Sequence, residues 1–352
     1  MRDKHIHIEQ DSNLLKQIYA DVEQKLCISP KETARLLVLK FMFYFSLMSA
    51  CYTLFFFTRH EAMLFATYIV FGLLAVLLGF NFAHDFCHNT IFRNKKLNQA
   101  GFIAIYTLLG AHAEAWKFRH IHSHHYAPNV QEYDSDLQIT SLIRVEPGST
   151  YRWFHRFQHW YAPLAYTTYS LYWVFIKDWV IYFTEQDDPQ KSKWGYHLSF
   201  WLQKILYIGY LVVIPVLFTS FAWYLVLAAF LAMHFVQSLF LLFTFFMTHH
   251  VEETAYFSAD EQGFISTSWF TNQVKSSNDF HPFSKTANFI FGGFNNHIAH
   301  HLFPHIHHAH YPKLNRILYR SLMRHNIRPN VTTFTGGVVS HLRHLRNMSK
   351  RA

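Results

Sequence analysis

The chain has 352 residues, of which 51% are apolar and 19% aromatic, while only 15% carry a charge. A soluble globular domain has roughly 25% charged residues, so this composition disfavours a soluble protein and favours a membrane protein. The formal charge is +9, yet Lys and Arg form neither a polybasic run nor a nucleic-acid reader motif, which excludes nucleic acid as the expected partner and favours anionic membrane lipid. Cys27, Cys51 and Cys87 fit neither a disulfide framework nor a zinc ribbon, and we expect reduced thiols.

The first predicted element is a charged segment, residues 1–35, which lacks the apolar core of a secretory signal and is interpreted as a cytoplasmic N-terminal arm. Two apolar runs follow, separated by a hairpin at 59–61, and each is long enough to cross a hydrocarbon core of about 30 Å. A later run, 205–247, contains no Lys, Arg, Asp or Glu and is long enough for two crossings, with a turn near Thr219. The predicted spans are about 37–58, 62–83, 200–219 and 222–247.

Two shorter apolar stretches, 102–113 and 161–176, are too short for an untilted crossing and are predicted to be interfacial helices. With four spans, 30 of the 31 Lys and Arg residues lie on one side of the membrane, and the positive side is cytoplasmic. The sequence therefore predicts an all-α integral membrane protein with four transmembrane helices and a cytoplasmic helical cap. Both termini, including a basic tail at 331–352, are predicted to be cytoplasmic.

Histidine is abundant, with 27 residues, and eight of them form three tight groups beside predicted span ends. The groups are His84 and His88; His120, His124 and His125; and His297, His300 and His301. Residues at i, i+3 and i+4 share a helix face, so each group is predicted to present its imidazoles together. His125 lies about 100° around the helix axis from His124 and can therefore reach a second metal. Eight imidazoles exceed the four ligands of one zinc ion and predict two metal ions, although imidazole suits iron, copper and zinc alike.

Two other kinds of protein also use histidines in membranes. The segment from His84 through Asp85 to His88 differs by one methylene from the HExxH motif of a zinc protease, but an intramembrane protease leaves the other two groups unexplained. A metal transporter would hold its ligands near the bilayer midplane rather than at span ends. The three groups together favour a dimetal enzyme over both.

The boxes HxxxH, HxxxHH and HxxHH, in this order and separation, resemble the membrane fatty acid desaturase family from about residue 40 to 330. The surroundings of boxes two and three are similar to the acyl-lipid, front-end branch. The residues that carry this likeness are Trp116, Asn129, Asp134 and Asp136, then Gly292, Gly293, Phe294 and Asn295, the run His-His-Leu-Phe-Pro-His, and Tyr311 with Pro312. One departure is His297, where front-end members usually have Gln, and it leaves the position of the double bond open.

The resemblance implies that the box histidines bind two irons in a desaturase domain at 36–330, with O2 as co-substrate and no catalytic residue beyond the metal ligands. A further ligand is implied at the end of the fourth span, where His249 matches a His-x-Val-Glu-Glu pattern and His250 is its competitor. The substrate would be a fatty acyl chain on CoA, a carrier protein or a glycerolipid. Hydroxylation, epoxidation and acetylene formation use the same ligands and remain alternatives within the family.

Other residues are interpreted from their positions. The cytochrome b5 motif His-Pro-Gly-Gly is not found, so a separate electron donor, such as ferredoxin or cytochrome b5, is expected to dock at basic residues of the tail region. These basic residues are Lys313, Arg316, Arg320 and Arg324. His122 is predicted to face the surface, and His234 to form an interhelical hydrogen bond. Four acidic residues are expected to hydrogen-bond ligand imidazoles: Asp134, Asp136, Glu252 and Glu253. Four histidines are expected either to hydrogen-bond ligand imidazoles or to form a basic surface: His305, His307, His308 and His310.

Overall fold

The computed structural model describes residues 4–137, 140–185 and 188–350. Residues 1–3 of the predicted arm and 351–352 of the predicted tail lie outside this part of the chain. Helices dominate, and the prediction of an all-α membrane fold is confirmed. Within the described ranges the one sheet is a parallel pair of two-residue strands, β1 (Asp279–Phe280) and β2 (Val331–Thr332).

The longer helices are α1 (Glu9–Lys25), α2 (Pro30–Phe57), α3 (Glu61–Cys87), α4 (Lys95–Leu109), α5 (Ala113–Arg119), α6 (Gln158–Tyr166), α7 (Asp178–Thr184), α8 (Trp194–Phe218), α9 (Trp223–His249), α10 (Trp269–Lys275), α11 (Lys285–Phe291), α12 (His297–Leu302), α13 (Tyr311–Arg324) and α14 (Phe334–Met348). Shorter helical turns are Tyr169–Tyr172, Trp173–Lys177, Trp153–Phe157, Pro189–Ser192, Phe294–Asn296 and His308–His310. By their internal contacts the residues divide into two compact units. The membrane unit is Ser29–Lys117 and Pro163–Leu242, and the site unit is Met1–Ile28, Phe118–Ala162 and Phe243–Ala352.

Four helices, α2, α3, α8 and α9, are long and apolar enough to cross a membrane, and they confirm the four predicted spans. The shortest of them has 25 residues, which at about 1.5 Å per residue exceeds a hydrocarbon core of about 30 Å. Each helix extends beyond its predicted bounds at one end or at both. For example, α2 begins at Pro30 because the Ser29 hydroxyl caps it by accepting a hydrogen bond from the backbone N–H of Glu32.

The site unit has its own apolar core, to which α1, α10, α12 and α13 contribute. Leu14, Ile18 and Val22 on one face of α1 pack in the same cluster as Leu302 of α12 and Leu318 of α13. Burial of each such side chain contributes roughly 1.5–3 kcal/mol, so this helix is a structural part of the unit. The predicted arm therefore contains a packed helix that steadies the helix of the third histidine box.

Candidate metal centre

The second histidine box lies where α5 runs into a π-helical turn, His120–His124. The backbone N–H of His125 donates to the carbonyl of His120 at 2.9 Å, which is the i to i+5 bond of a π turn. This turn brings the Nε2 atoms of His120 and His125 to 3.2 Å, while the ring of His124 lies closer to His249 than to His120. The closest pair in this box is thus i, i+5 rather than the predicted i, i+4, because the turn contains one more residue than an α-helical turn.

His124 is oriented by a buried carboxylate. Its Nδ1 lies 3.2 Å from Oδ2 of Asp134, which also accepts a hydrogen bond from the backbone N–H of Asn129 at 3.0 Å. Burial acts to lower the pKa of His124, but Asp134 and the more distant Asp136 outweigh it and raise the pKa above its usual value. Asp134 thus contacts the imidazole of His124, the candidate ligand that it was expected to orient. The Nε2 atom of His124 is buried and has no hydrogen-bond partner within residues 4–137, 140–185 and 188–350.

The third box is the short helix α12, whose three histidines are all buried. Its N-terminus is capped by Asp279, which accepts a hydrogen bond from the backbone N–H of Ile298 at 2.9 Å. The same carboxylate accepts from the hydroxyl of Tyr319 at 2.7 Å and from the side-chain amide of Asn315 at 3.2 Å, both on α13. Burial raises the pKa of Asp279 to about 7, and these donors oppose the rise. Asp279 therefore fixes the ligand-bearing helix against α13.

The structure separates the adjacent histidines at the end of α9. His249 is buried among the box histidines, and its Nδ1 lies 2.9 Å from the carbonyl of Ser276. His250 instead contacts the hydroxyl of Tyr256 through Nδ1 at 2.8 Å, and its carbonyl lies 2.7 Å from Nδ1 of His341. The geometry thus agrees with His249, the residue assigned from the family pattern, as the candidate ligand of the two.

Four imidazoles of the site unit offer ring nitrogens that all lie within 4.8 Å of one another; they belong to His124, His249, His297 and His301. Nδ1 of His249 faces the Ser276 carbonyl, and Nδ1 of His301 faces Oε1 of Gln273 at 2.8 Å. Because a carbonyl oxygen only accepts, both Nδ1 atoms carry the proton, and burial holds the pKa of His301 well below its usual value. The two Nε2 atoms, 3.2 Å apart, therefore face each other with lone pairs.

This donor set fits a metal ion. Nitrogens bound at about 2.1 Å to one ion at tetrahedral or octahedral angles are roughly 3.0–3.4 Å apart, as are Nε2 of His249 and His301. Without a cation, two facing lone pairs in a buried site would repel each other. The chemistry of the four imidazoles is thus that of a metal site.

The remaining box histidines of the site unit form a second set beside the first. The ring of His125 lies 4.5 Å from that of His120 and 4.5 Å from that of His300, measured between centroids. Nδ1 of His300 lies 3.4 Å from the hydroxyl of Tyr311 at the start of α13. The ring of His125 also lies 4.6 Å from that of His301, so His125 is adjacent to both groups of imidazoles.

The first box lies in the membrane unit at the end of α3. A π-helical turn, Gly79–Ala83, precedes His84, and the helix ends at Cys87, immediately before His88. The rings of His84 and His88 are 5.1 Å apart between centroids, so the i, i+4 spacing does bring these two imidazoles together.

The histidines that are not candidate ligands differ in their surroundings. His122 is exposed, and His305 is also exposed, whereas Nδ1 of His307 accepts a hydrogen bond from the backbone N–H of Ala309. His234 forms the predicted interhelical bonds, described below. His122 and His305 are thus surface residues, and His234 has a structural role.

The expectation for Glu252 and Glu253 was wrong. Both are exposed, and their carboxylates accept hydrogen bonds from Asn347 and Ser340 of α14 rather than from box imidazoles. The physical reason is that α9 ends at His249, and the turn that follows directs the two acidic side chains toward α14. Proximity in sequence to a ligand did not predict proximity in space.

Sequence reasoning missed the residues that orient the ligands from elsewhere in the chain. Gln273 of α10, Ser276 just after α10 and Asp279 of β1 are all fully buried. Gln273 and Ser276 contact His301 and His249, and Asp279 caps α12. The available signal was the run of small polar residues from Ser276 to Asp279, which is unusual at complete burial.

Comparison with known proteins agrees with this geometry. The chain matches the profile described as Fatty acid desaturase over residues 60–333. It is 30% identical over 322 residues, 89% of this chain and 66% of the relative, to the acyl-lipid (8-3)-desaturase of Physcomitrium patens. It is 29% identical over 285 residues, 80% of this chain and 77% of the relative, to the sn-1 linoleoyl-lipid 6-desaturase of Arthrospira platensis.

The Delta(5) fatty acid desaturase A of Dictyostelium discoideum is 28% identical over 296 residues, 80% of this chain and 62% of the relative. The chain thus spans about two thirds of the length of the Physcomitrium patens and Dictyostelium discoideum relatives. The profile match includes all nine predicted ligand histidines and most of the chain. On this match, the chain belongs to the fatty acid desaturase family.

Proposed function

We propose that the chain is a membrane-bound fatty acid desaturase that uses two iron ions and O2 to introduce a double bond into an acyl chain. The observation that carries the proposal is the contact between Nε2 of His249 and Nε2 of His301, within a buried set of four imidazoles, in a chain of this family. Side-chain acids, bases and nucleophiles do not oxidise an unactivated methylene, so the reaction needs a redox-active metal.

The substrate class is proposed from the relatives. Two of them are named for acyl-lipid and linoleoyl-lipid substrates, which supports an acyl chain carried on a glycerolipid over CoA or a carrier protein. The names differ in the position of the double bond, and His297 departs from the front-end pattern, so the proposal extends to the substrate class alone. A lipid substrate also suits a protein with four membrane-spanning helices, because the acyl chain is already in the bilayer.

Nine histidines are proposed as metal ligands: His84, His88, His120, His124, His125, His249, His297, His300 and His301. The support for His84 and His88 is the box pattern inside the matched family region. The iron ions, when bound, supply the activation of O2. The protein buries His124, His249 and His301 and orients each ring through a partner at Nδ1. In the balanced reaction, one CH2–CH2 unit, O2, two electrons and two protons give CH=CH and two waters.

We propose that the two electrons come from a separate acidic carrier, such as ferredoxin or cytochrome b5, on the cytoplasmic side. Lys313, Arg316, Arg320 and Arg324 are exposed along one face of α13. The other face of this helix is buried, and its first residue, Tyr311, contacts His300. The positive charge of this face would steer an acidic partner toward the site. The charge count of the sequence supports the cytoplasmic orientation.

The test is expression of the full chain in a host that lacks the activity, with mass spectrometry of its lipids and metal analysis of the purified protein. We expect a new double bond in glycerolipid acyl chains and close to two irons per chain. An oxygenated product at the same carbon would favour the hydroxylase or epoxygenase alternative. Stoichiometric zinc without iron would contradict the proposal and favour a zinc protease.

A further inference from the structure

A series of hydrogen bonds through two buried side-chain amides connects a backbone carbonyl to one of the proposed ligand imidazoles. The side-chain Nδ2 of Asn272 donates to the carbonyl of Pro128 at 2.9 Å. Nε2 of Gln273 donates to Oδ1 of Asn272 at 3.2 Å, and Oε1 of Gln273 faces Nδ1 of His301 at 2.8 Å. Asn272, Gln273 and His301 are all buried, so water does not compete for these bonds.

The Pro128 carbonyl determines which end of each amide acts as the donor in this series of hydrogen bonds. The carbonyl of Pro128 can only accept, so Asn272 must present its NH2 group there and its oxygen to Gln273. Gln273 must then present its NH2 group to Asn272 and its oxygen to the imidazole. An oxygen at this place requires a proton on Nδ1 of His301, which leaves the lone pair on Nε2.

We infer that Asn272 and Gln273 are positioning residues of the metal centre, which hold His301 in the tautomer that can bind a metal through Nε2. This inference rests on the proposed metal site but adds residues that no box pattern contains. If the Gln273 amide rotated by half a turn, its NH2 group would face Nδ1 of His301. The imidazole would then carry its proton on Nε2 and would face Nε2 of His249 as a donor rather than as a ligand.

The first test compares iron release from the full-length, iron-loaded protein in detergent to a ferrous-iron chelator without O2. Removing a hydrogen-bond partner of a metal-bound histidine typically lowers metal affinity by about 10–100-fold. We expect Gln273→Met, which keeps the shape but removes the acceptor, to release iron at least about 10-fold faster. Gln273→Glu keeps an acceptor for Nδ1 but loses the donor to Asn272, so it should release iron faster than the unchanged protein and more slowly than Gln273→Met.

The matched control is Gln237→Met in the membrane unit, which also removes a buried glutamine bonded to a histidine. His234 is not a proposed ligand, so iron release should not change. Unchanged iron release in Gln273→Met, or equal losses in Gln273→Met and Gln273→Glu, would overturn the inference, because the acceptor would then be irrelevant.

A second readout uses Asn272→Ala, which keeps Gln273 but leaves its amide free to rotate. We expect an intermediate rate of iron release, and a Co2+ absorption spectrum in the metal-depleted, Co2+-loaded protein that differs from that of the unchanged protein. The Co2+ spectrum reports the ligand geometry and does not depend on O2 chemistry. It also tests the inference if Gln273→Met does not fold. A spectrum identical to that of the unchanged protein would overturn the inference. Failure of the proposed function is distinguishable, because the unchanged protein itself would then bind no iron or make no unsaturated product.

Discussion

His301 in the site unit and His234 in the membrane unit are both buried histidines bonded to a glutamine, yet their ring nitrogens are in opposite states. His234 meets the NH2 group of Gln237 at Nδ1, and its Nε2 lies 2.9 Å from the hydroxyl of Tyr207. Protein groups therefore satisfy both of its nitrogens. His301 meets the oxygen of Gln273, so its Nε2 faces the lone pair of another imidazole.

The comparison shows what distinguishes a proposed ligand, His301, from a structural histidine, His234. Burial and a hydrogen bond to glutamine are common to both residues, so neither property is diagnostic. The difference is the end of the amide that faces the ring, because a donor amide makes Nδ1 the acceptor and an acceptor amide leaves Nε2 free. In His234 the remaining N–H is used by Tyr207, and nothing is left for a metal.

The largest expected effect comes from removing the imidazoles themselves. His301→Ala should abolish product formation and lower the iron content, because it removes one of the four converging nitrogens. His234→Leu should keep the iron content while lowering stability by roughly 1–3 kcal/mol, because it leaves buried polar partners unsatisfied. Iron analysis and thermal unfolding of the purified variants check both outcomes.

The control for this pair is His122→Ala, which changes an exposed histidine between two ligands and should retain activity. Loss of iron in His234→Leu with the fold intact would mean that the contrast between the two histidines does not decide metal binding.

A smaller effect is expected for Asp134→Asn. The amide is similar in size, but it loses the negative charge that stabilises the Nδ1 proton of His124. We expect iron affinity to fall by about 10–100-fold, as for other partners of metal-bound histidines. Titration of the metal-depleted protein with ferrous iron measures this change. Asp260→Asn, at an exposed aspartate of the same unit, is the matched control and should leave the affinity unchanged.

The smallest effect is expected at the surface of α13. Reversing Arg316 and Arg320 to Glu should raise the KM for an acidic electron donor several-fold with little change in kcat at saturation, since long-range charge acts mainly on association. Turnover with this donor should fall as salt rises, because the Debye length is about 8 Å at physiological ionic strength. A KM that is the same in the double variant, with rates independent of salt, would assign these arginines to anionic lipid instead.

The spans and the boxes were predictable from sequence because each depends on local information. A run without charges such as 205–247 must cross the membrane, and periodic histidines on a helix must share a region of its surface. Gln273 and Ser276 were not predictable, since they reach His301 and His249 only through the tertiary fold, and Ser276 acts through its backbone carbonyl. Every residue has a backbone carbonyl, so the pattern of side chains in the sequence cannot predict a contact made by one.

The π turn at the second box changes which of its histidines lie close together. A π turn is equivalent to one residue inserted into an α-helix, and it shifts every later side chain by about 100° around the axis. His125 therefore takes the place beside His120 that His124 would occupy in an uninterrupted helix, and His124 turns toward His249. Deleting one residue within 121–123 would place His125 four residues after His120, so an α-helical turn would keep His125 beside His120. A reading of this box as an uninterrupted α-helix would therefore place His124, rather than His125, beside His120.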